Sequence, residues 1–569
     1  MAKATSVQCP SEICFNPLSN DLNASAIKTL LQIIKTCIGP RGKLKIIQNI
    51  SGGHVSVTSS SQRIFHNVSV KNYLLKFIIA SAQSHLKFFG DGGLSCALLI
   101  LRLIENSLTL KCPLPLLGTL YDHFGKIYIE CLSLENNSCN LNVDFSNITD
   151  LLCVVNSLLN SKPGCILSAD DKNHLSLLLL TAFLDVIPCN TAKTLDNYNI
   201  KLLRQEGFNV RQSKLYEGLL IKNTQEIYQQ TCSVLNADFG ALKIALFTIS
   251  LAGDADFPVE KLEVNDAISV WESILSHLEK IASELISGKV NIVACQKVVH
   301  PRIRKRLEDA NILVFDRLGN ETTKYLQFIS GGFSNCSLFS KLSFGLLTSI
   351  KQETVGKHSF FLLCNKDKPF KTFMICNYNE ETLNEMQTVC QQVIDTLFRL
   401  LKKPRVCFGA GCTEMYLSSV VKEKVKERLD EIVKETECTH TQALEALYIF
   451  LKSIVDVSVS INQGSLLGFI TETSHAHLWK IQNGKCPANN DKCMCGQYIA
   501  TDDHYEWKFF PPSFNNWLVM SEEKFIEKSE SCKGSIILDE LSCKISAFSV
   551  AFETASLLLK VSLCVYPSL

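Results

Sequence analysis

The sequence predicts a multidomain fold in which an α/β domain is inserted into a largely helical one. Up to about residue 195, apolar residues recur at helical spacing, as at Ile27, Leu30 and Ile34. Between about 200 and 375, short β-type runs alternate with helical stretches, which is typical of an α/β domain. Long helical periods then return and continue towards the C-terminus. The order of helix, α/β and helix along one chain indicates an insertion.

Composition excludes several classes of protein. The chain has 569 residues, enough for about three or four domains. Its 57 basic and 56 acidic side chains leave a net charge of +1, which argues against binding nucleic acid or a membrane surface through bulk charge. No run reaches the roughly 18 apolar residues of a membrane span, so we expect no membrane insertion. Residues 1–6 lack the apolar segment of a signal peptide, and the 25 cysteines are therefore expected to be reduced thiols in the cytoplasm.

Three glycine-rich turns are the candidate functional motifs: Gly39-Pro40-Arg41-Gly42, Gly90-Asp91-Gly92-Gly93 and Gly409-Ala410-Gly411. Each is expected to open onto a periodic helix, whose N-terminus presents free backbone N–H groups to phosphate. The carboxylate of Asp91 adds an oxygen ligand of the kind that Mg²⁺ prefers. The turns therefore suggest a nucleotide site.

The turns and their neighbours resemble the nucleotide site of the group II chaperonins, the family of the eukaryotic cytosolic ring chaperonin. The family motifs read Leu-Gly-Pro-x-Gly, Gly-Asp-Gly-Thr-Thr and Gly-Gly-Gly-x-x-Glu. Lys162 resembles the lysine that senses the γ-phosphate, and Asp539 falls where the family has an acidic residue beside the nucleoside. The resemblance implies nucleotide binding by Gly39, Pro40, Gly42, Gly90, Asp91, Gly92, Gly93, Lys162, Gly409, Gly411 and Asp539, with Asp91 as the Mg²⁺ ligand when nucleotide binds.

The resemblance also implies a fold, the multidomain group II chaperonin fold. It has a mostly helical equatorial domain made from both chain ends, a small intermediate domain and an inserted α/β apical domain that binds clients or partners. The implied boundaries are equatorial 1–147, intermediate 148–210, apical 211–372, intermediate 373–403 and equatorial 404–569, with an extra segment at about 475–534.

The sequence departs from the family at the positions that carry the chemistry. Hydrolysis of a γ-phosphate needs Mg²⁺ and a carboxylate that orients the attacking water. Ser60 and Gln392 stand at the family's two acidic positions, and Gly93 and Leu94 replace its phosphate-contacting threonines. Loss of such a base commonly costs about 10²–10⁴ in rate. We therefore expect no catalytic residue at these positions, weak binding of ATP and Mg²⁺, and poor or absent hydrolysis.

The stretch 295–301 and the extra segment resemble the vertebrate chaperonin-like proteins linked to Bardet–Biedl syndrome. That resemblance implies assembly of the BBSome, a ciliary trafficking complex. The implied partners are sister Bardet–Biedl chaperonin-like proteins, subunits of the cytosolic ring chaperonin and unassembled BBSome subunits. It also implies a cytoplasmic location at the centrosome, pericentriolar region and ciliary base, with the nucleus as a further compartment. Two alternatives stay open: an ATP-hydrolysing folding chaperone in a mixed ring, and a non-chaperone scaffold at the centrosome.

Two further groups of residues have competing interpretations. The basic cluster Arg302, Arg304, Lys305 and Arg306 begins an apical helix, and it either contacts clients or partners or forms a solvated helix face. The second group contains thiols and imidazoles within one segment: Cys486, Cys493, Cys495, His475, His477 and His504. Because Cys-x6-Cys-x-Cys is not a standard finger spacing, we expect free thiols rather than zinc.

Overall fold

The structure is a computed structural model. It describes residues 11–48, 53, 55–134, 137–187, 199–223, 241–253, 270–336, 342–461, 469–472, 476–480, 493–496, 506–510, 521–523 and 536–567.

Several helices begin at a residue that caps their free N–H groups. Asn20, Asn72 and Asn147 each accept a hydrogen bond from the backbone two residues further on, the usual role of asparagine at an N-cap. The α-helices of the described residues are α1 (Asp21–Lys35), α2 (Ser61–Asn67), α3 (Tyr73–Phe89), α4 (Gly93–Ser107), α5 (Leu114–Ser133), α6 (Ile148–Asn160), α7 (Ala169–Leu184), α8 (Val270–Ser287), α9 (Pro301–Asp309), α10 (Gly319–Ser330), α11 (Glu380–Lys402), α12 (Cys412–Glu427), α13 (Leu429–Thr436), α14 (His440–Ile461) and α15 (Leu541–Lys560).

The strands of the described residues are short, and ten of the 21 lie between about 200 and 377. They are β1 (Ser11–Phe15), β2 (Lys45–Gln48), β3 (Val55–Thr58), β4 (Asn140–Asn142), β5 (Ile200–Glu206), β6 (Lys214–Glu217), β7 (Leu219–Lys222), β8 (Leu242–Phe247), β9 (Ile292–Cys295), β10 (Leu313–Phe315), β11 (Gly345–Leu347), β12 (Ser349–Val355), β13 (His358–Cys364), β14 (Lys371–Asn377), β15 (Arg405–Phe408), β16 (Phe469–Glu472), β17 (Leu478–Lys480), β18 (Glu506–Phe510), β19 (Ser521–Glu523), β20 (Leu538–Glu540) and β21 (Leu563–Pro567).

The chain divides into two compact units, and the first contains both chain ends. It comprises Met1–Leu177 and Asn379–Leu569. Its core is helical: α15 packs against α3, α4 and α5, with the rings of Tyr128, Phe548 and Phe552 in contact. Burial of such large rings stabilises the contact between helices from opposite ends of the chain. Strand β15 pairs with β4 and β20, and so joins the two chain ends a second time.

Helix α15 is also the one described helix that is long and apolar enough to cross a bilayer. In the first unit these apolar residues form part of the helical core, because 61% of the most apolar 18-residue window of α15 is buried. Length and composition alone do not distinguish such a core helix from a membrane span.

The second unit, Leu178–Tyr378, has the α/β character that the sequence predicts. One sheet has the order β10-β9-β8-β11, with β9 parallel to both β8 and β10. Helices α8 and α9 cover one apolar cluster of this sheet, and α10 lies over the other. Two three-stranded sheets, β12-β13-β7 and β5-β14-β6, complete the unit. The predicted insertion of an α/β unit into a helical one is confirmed, while the finer equatorial and intermediate boundaries stay predictions.

One local expectation is wrong. The second and third glycine turns lead into helices α4 and α12, but the turn at residues 39–42 follows α1 and leads into β2. The residues after it, Lys43-Leu44-Lys45-Ile46-Ile47, carry alternating apolar side chains, and β2 pairs with β3 as a hairpin. Strand pairing, rather than a helix N-terminus, therefore fixes this turn.

Candidate nucleotide site

The second glycine turn is held by its glycines and by a buried histidine. Gly90 ends α3 and Gly92 begins α4, both in the left-handed region with φ of 70° and 79°. His85 Nε2 donates to the Asp91 carbonyl oxygen over 2.8 Å, while His85 Nδ1 lies 3.0 Å from Ser546 Oγ. Burial lowers the pKa of His85, so a neutral imidazole anchors the turn. The backbone position of Asp91 is therefore fixed by helices from both chain ends.

The side chain of Asp91 forms an ion pair with Lys162. Lys162 follows the end of α6, and its Nζ lies 2.7 Å from Asp91 Oδ1. Burial would raise the pKa of Asp91, but the lysine charge and its hydrogen bond outweigh burial, so that pKa lies below its usual value. Burial likewise opposes the charge of Lys162, yet Asp91 raises the lysine pKa. The structure thus brings together two predicted site residues, each as the counter-ion of the other.

Ser60 and Gln392, which stand at the family's acidic positions, are both buried. Gln392 Nε2 donates to the Gly90 carbonyl oxygen over 2.5 Å, which places Gln392 beside the second glycine turn. Ser60 Oγ and Gln392 Oε1 make no hydrogen bond to any residue the structure describes. Ser60 Oγ can donate to water or phosphate and Gln392 Oε1 can accept from water, but neither side chain carries a negative charge. The site therefore has polar groups at the family's acidic positions without the charge that orients water.

Sequence reasoning missed a carboxylate close to Ser60. Glu385 lies seven residues before Gln392, two turns earlier on α11, and it is fully buried. It accepts hydrogen bonds from Thr58 Oγ1 at 2.7 Å and from the Ser59 backbone and hydroxyl at 3.0 Å. Arg63 is 3.1 Å away and also pairs with Glu381. Because its oxygens are engaged with these donors, Glu385 holds the turn at 58–60 rather than replacing the missing acid.

Core packing explains the absence of a threonine at Gly93. A side-chain carbon on Gly93 would lie 2.7 Å from Leu86 Cδ1, so Leu86 fills the space beside the first turn of α4. A threonine here would need the core of α3 and α4 to repack. The loss of the phosphate-contacting hydroxyl is thus built into the packing of these helices.

The third glycine turn and the first both contact the end of α14. Gly411 begins α12 at φ 84°, and a side chain on it would lie 2.9 Å from Ser458 Cβ. Gly39 lies against the carbonyl of Ile461, one turn further along α14. Gly409 donates its N–H to the Ile537 carbonyl oxygen over 2.9 Å, just before Asp539. Helix α14 therefore gathers two turns that lie about 370 residues apart in the chain.

Asp539, next to Gly409 of the third turn, belongs to a second charged cluster with Lys544 and Glu414. Lys544 Nζ lies 2.8 Å from Asp539 Oδ2 and 2.7 Å from Glu414 Oε1. Burial opposes the charge of Lys544, but the two carboxylates raise its pKa well above the usual value. Asp539 is half-exposed, whereas Lys544 and Glu414 are buried. One lysine thus offsets two acidic groups here.

The basic cluster on α9 is largely engaged within its own unit. Arg302 pairs with Glu279 of α8 at 2.7 Å, and Arg306 donates to the Glu279 carbonyl and to Ser283. Arg304 lies 2.8 Å from Asp316. Lys305 is exposed. The arginines therefore hold α9 against its neighbours, and Lys305 is the better reporter of client contact.

A charge reversal at Lys305 separates the two interpretations of this cluster. We expect Lys305→Glu to weaken client binding while leaving the melting temperature unchanged, because the side chain is solvated. Arg304→Glu is the matched contrast: it places a carboxylate beside Asp316 and should lower the melting temperature of this unit. Binding measured by co-purification with a client, together with a thermal melt, checks both. Unchanged binding in Lys305→Glu would leave a solvated helix face as the interpretation.

Part of the predicted thiol and imidazole group lies outside the described residues, namely Cys486, His475 and His504. The described members Cys493, Cys495 and His477 are buried. His477 lies against Cys493 and Cys495, and these two cysteines lie close to Cys412, which was not among the predicted residues. Cys412 was not part of the predicted group because it precedes Cys493 by 81 residues in the sequence.

The fold and the glycine turns define a chaperonin-type protein, and comparison with known sequences agrees. The profile of the TCP-1/cpn60 chaperonin family matches residues 30–566, so the chain belongs to this family. Over 565 residues it is 31% identical to the protein named Molecular chaperone MKKS of Homo sapiens, covering 97% of each chain. The mouse protein of that name is 28% identical over 97% of each chain.

More distant relatives include a thermosome subunit. Thermosome subunit alpha of Archaeoglobus fulgidus is 22% identical over 410 residues, covering 71% of this chain and 73% of the relative. The predicted group II chaperonin fold is confirmed, and the chain is a chaperonin-like chaperone.

Proposed function

We propose that this chain is a chaperonin-like assembly chaperone of the BBSome, which binds ATP with Mg²⁺ weakly and hydrolyses it slowly or not at all. The observation that supports slow turnover is the state of four side chains of the candidate site. Ser60 and Gln392 are neutral, Glu385 is tied to Arg63 and the 58–60 turn, and Lys162 is paired. No described carboxylate at these positions is placed to orient water.

The residues present fit weak binding of the family's cofactor. Asp91 is the candidate Mg²⁺ ligand and Lys162 the candidate phosphate contact, but they now neutralise each other. Binding would have to exchange this ion pair for contacts with the metal and phosphate, which lowers the net gain. Mg²⁺ held by Asp91 would supply positive charge that offsets the charge of the phosphates. The buried Ser60 hydroxyl remains to donate to water or a phosphate oxygen, and Gln392 Oε1 remains to accept from water.

The hydrolysis part of the proposal makes a quantitative prediction. The purified chain should turn over ATP about 10²–10⁴-fold more slowly than intact cytosolic ring chaperonin, because the water-orienting carboxylates are absent. Steady-state phosphate release measures this rate. Asp91→Ala is the control: it removes the metal ligand, so any turnover that persists in it comes from a contaminant. Turnover comparable with the ring chaperonin that Asp91→Ala abolishes would contradict the proposal.

The assembly role is supported by likeness to proteins named molecular chaperones. We propose that sister chaperonin-like proteins, ring chaperonin subunits and unassembled BBSome subunits are its partners, and that it works in the cytoplasm near the centrosome and ciliary base, with the nucleus as a further compartment. Affinity purification with mass spectrometry, followed by sizing with and without ATP, tests this. Recovery of unassembled subunits supports an assembly chaperone.

The same experiment distinguishes the alternatives. ATP-dependent ring assembly with rapid turnover would indicate a folding chaperone in a mixed ring. Recovery of centrosomal proteins without unassembled subunits would indicate a scaffold.

A further inference from the structure

Four buried side chains from three separate parts of the chain meet beside the third glycine turn. They are Cys412, the first residue of α12, His477, which precedes β17, and Cys493 and Cys495 from one short turn. All four are 3% exposed or less. Their chain positions span 83 residues, so only the tertiary fold brings them together.

The distances among the three sulfurs match a metal centre, and His477 lies close to two of them. Cys412 Sγ lies 3.8 Å from Cys493 Sγ, and Cys493 Sγ lies 3.3 Å from Cys495 Sγ. His477 Nδ1 is 3.2 Å from each of the last two sulfurs. The three sulfurs all lie within 4.8 Å of one another. Sulfurs placed tetrahedrally at about 2.3 Å from Zn²⁺ would be about 3.8 Å apart, close to what is observed.

We propose that Cys412, His477, Cys493 and Cys495 form a structural zinc site. Three thiolates and one imidazole are a closed four-ligand set of the kind that holds structural Zn²⁺, and soft sulfur ligands disfavour Mg²⁺ and Ca²⁺. The proposal replaces the expectation of free thiols drawn from the Cys-x6-Cys-x-Cys spacing. That spacing could not include Cys412, and Cys486 is not needed.

The surroundings of the sulfurs support a thiolate centre. The backbone N–H of Leu478 donates to Cys493 Sγ over 3.3 Å, a type of contact that stabilises metal-bound sulfur. Gly496, at φ 84°, closes the turn by donating to the Cys493 carbonyl oxygen over 2.9 Å, so both sulfurs face the same side.

The site would tie an inserted segment to the nucleotide-binding region. Cys412 directly follows Gly411, and the Cys495 carbonyl accepts from Ile537, whose own carbonyl accepts from Gly409. Zinc would therefore link the turn at 409–411 with residues 477–495. Since structural zinc contributes its binding free energy to folding, its removal should loosen that turn. This consequence does not depend on whether nucleotide is hydrolysed.

Metal analysis of the full chain tests the site. Protein purified under reducing conditions without chelator should contain about one zinc per chain by elemental analysis. The double variant Cys493→Ala/Cys495→Ala should lose it. Cys407→Ala is the matched control, because Cys407 is equally buried on neighbouring β15 but is not a member of the cluster, and it should retain zinc. Zinc retained by the double variant would overturn the proposal.

Two readouts on the unaltered sequence keep the test valid if the double variant fails to fold. Cys412, Cys493 and Cys495 should resist alkylation in the zinc-loaded protein and react after chelation, while Cys407 stays unchanged. Co²⁺ exchanged into the chain should give the sulfur-to-cobalt charge-transfer absorption of a thiolate site. A chain that takes up neither Zn²⁺ nor Co²⁺ under reducing conditions, or one in which two of these cysteines form a disulfide, would refute the site.

Discussion

Lys544→Met should destabilise the first unit by about 3–5 kcal/mol, because it leaves the buried carboxylate of Glu414 without a counter-ion. The lysine side chain is 7% exposed and that of Glu414 is 4% exposed, so water cannot replace the lost charge. Asp539 also loses its partner, although it is more exposed. Urea unfolding followed by intrinsic fluorescence measures the change in the free energy of unfolding.

The same helix offers a matched control. Lys560→Met removes an ion pair with Asp122 whose two side chains are 35% and 37% exposed, and such surface pairs contribute at most about 1 kcal/mol. In the double variant Lys544→Met/Glu414→Gln, part of the stability should return, since no unpaired charge remains buried at that position. If Lys544→Met costs no more than Lys560→Met, the buried cluster does not stabilise the fold.

Glu385→Ala should cost a similar amount, about 3–5 kcal/mol, because one carboxylate satisfies donors from two segments. The variant leaves the Ser59 N–H and the Thr58 hydroxyl without their acceptor, and it halves the acidic partners of Arg63. Amide exchange at residues 57–60 should accelerate, since this turn has lost its anchor on α11. Chemical unfolding and hydrogen exchange followed by mass spectrometry measure both effects.

Glu381→Ala is the comparison for this prediction. Glu381 also pairs with Arg63, but its side chain is 25% exposed compared with 1% for Glu385. Its removal should cost about 1–2 kcal/mol, since water can reach the groups left behind. Equal costs for the two variants would show that burial of Glu385 does not set the stability of the turn.

The sequence could predict the motifs of the nucleotide site but not the state of their side chains. The glycine turns and Asp91 were predicted from local patterns, and Lys162 and the neutral residues at 60 and 392 came from the resemblance to the family motifs. The ion pair between Lys162 and Asp91 could not be predicted in this way. The two residues are 71 positions apart, and many other basic side chains could have been the counter-ion of Asp91. Glu385 was missed for the same reason: its partners Thr58 and Ser59 lie more than 320 residues earlier.

Local patterns were weakest where strand pairing or packing decided the outcome. The turn at 39–42 was expected to open onto a helix, yet the residues after it pair with β3. A missing hydroxyl at Gly93 was visible in the sequence, whereas the cause, Leu86 occupying the space, was not. Strand pairing and core packing depend on residues that are distant in the chain. A short stretch of neighbouring residues therefore cannot predict them.

The sequence by itself determined the order of helical and α/β parts, the family motifs and the loss of charge at Ser60 and Gln392. These are properties of residue identity and short-range spacing, which periodicity and turn chemistry record directly. The tertiary structure alone decided which charges neutralise each other and which thiols meet. Ion pairing and metal coordination act over about 2–4 Å between atoms, so they depend on how separate segments are folded together. Cys412 shows this most clearly: in the sequence it is one cysteine among 25, and in the fold it lies 3.8 Å from Cys493.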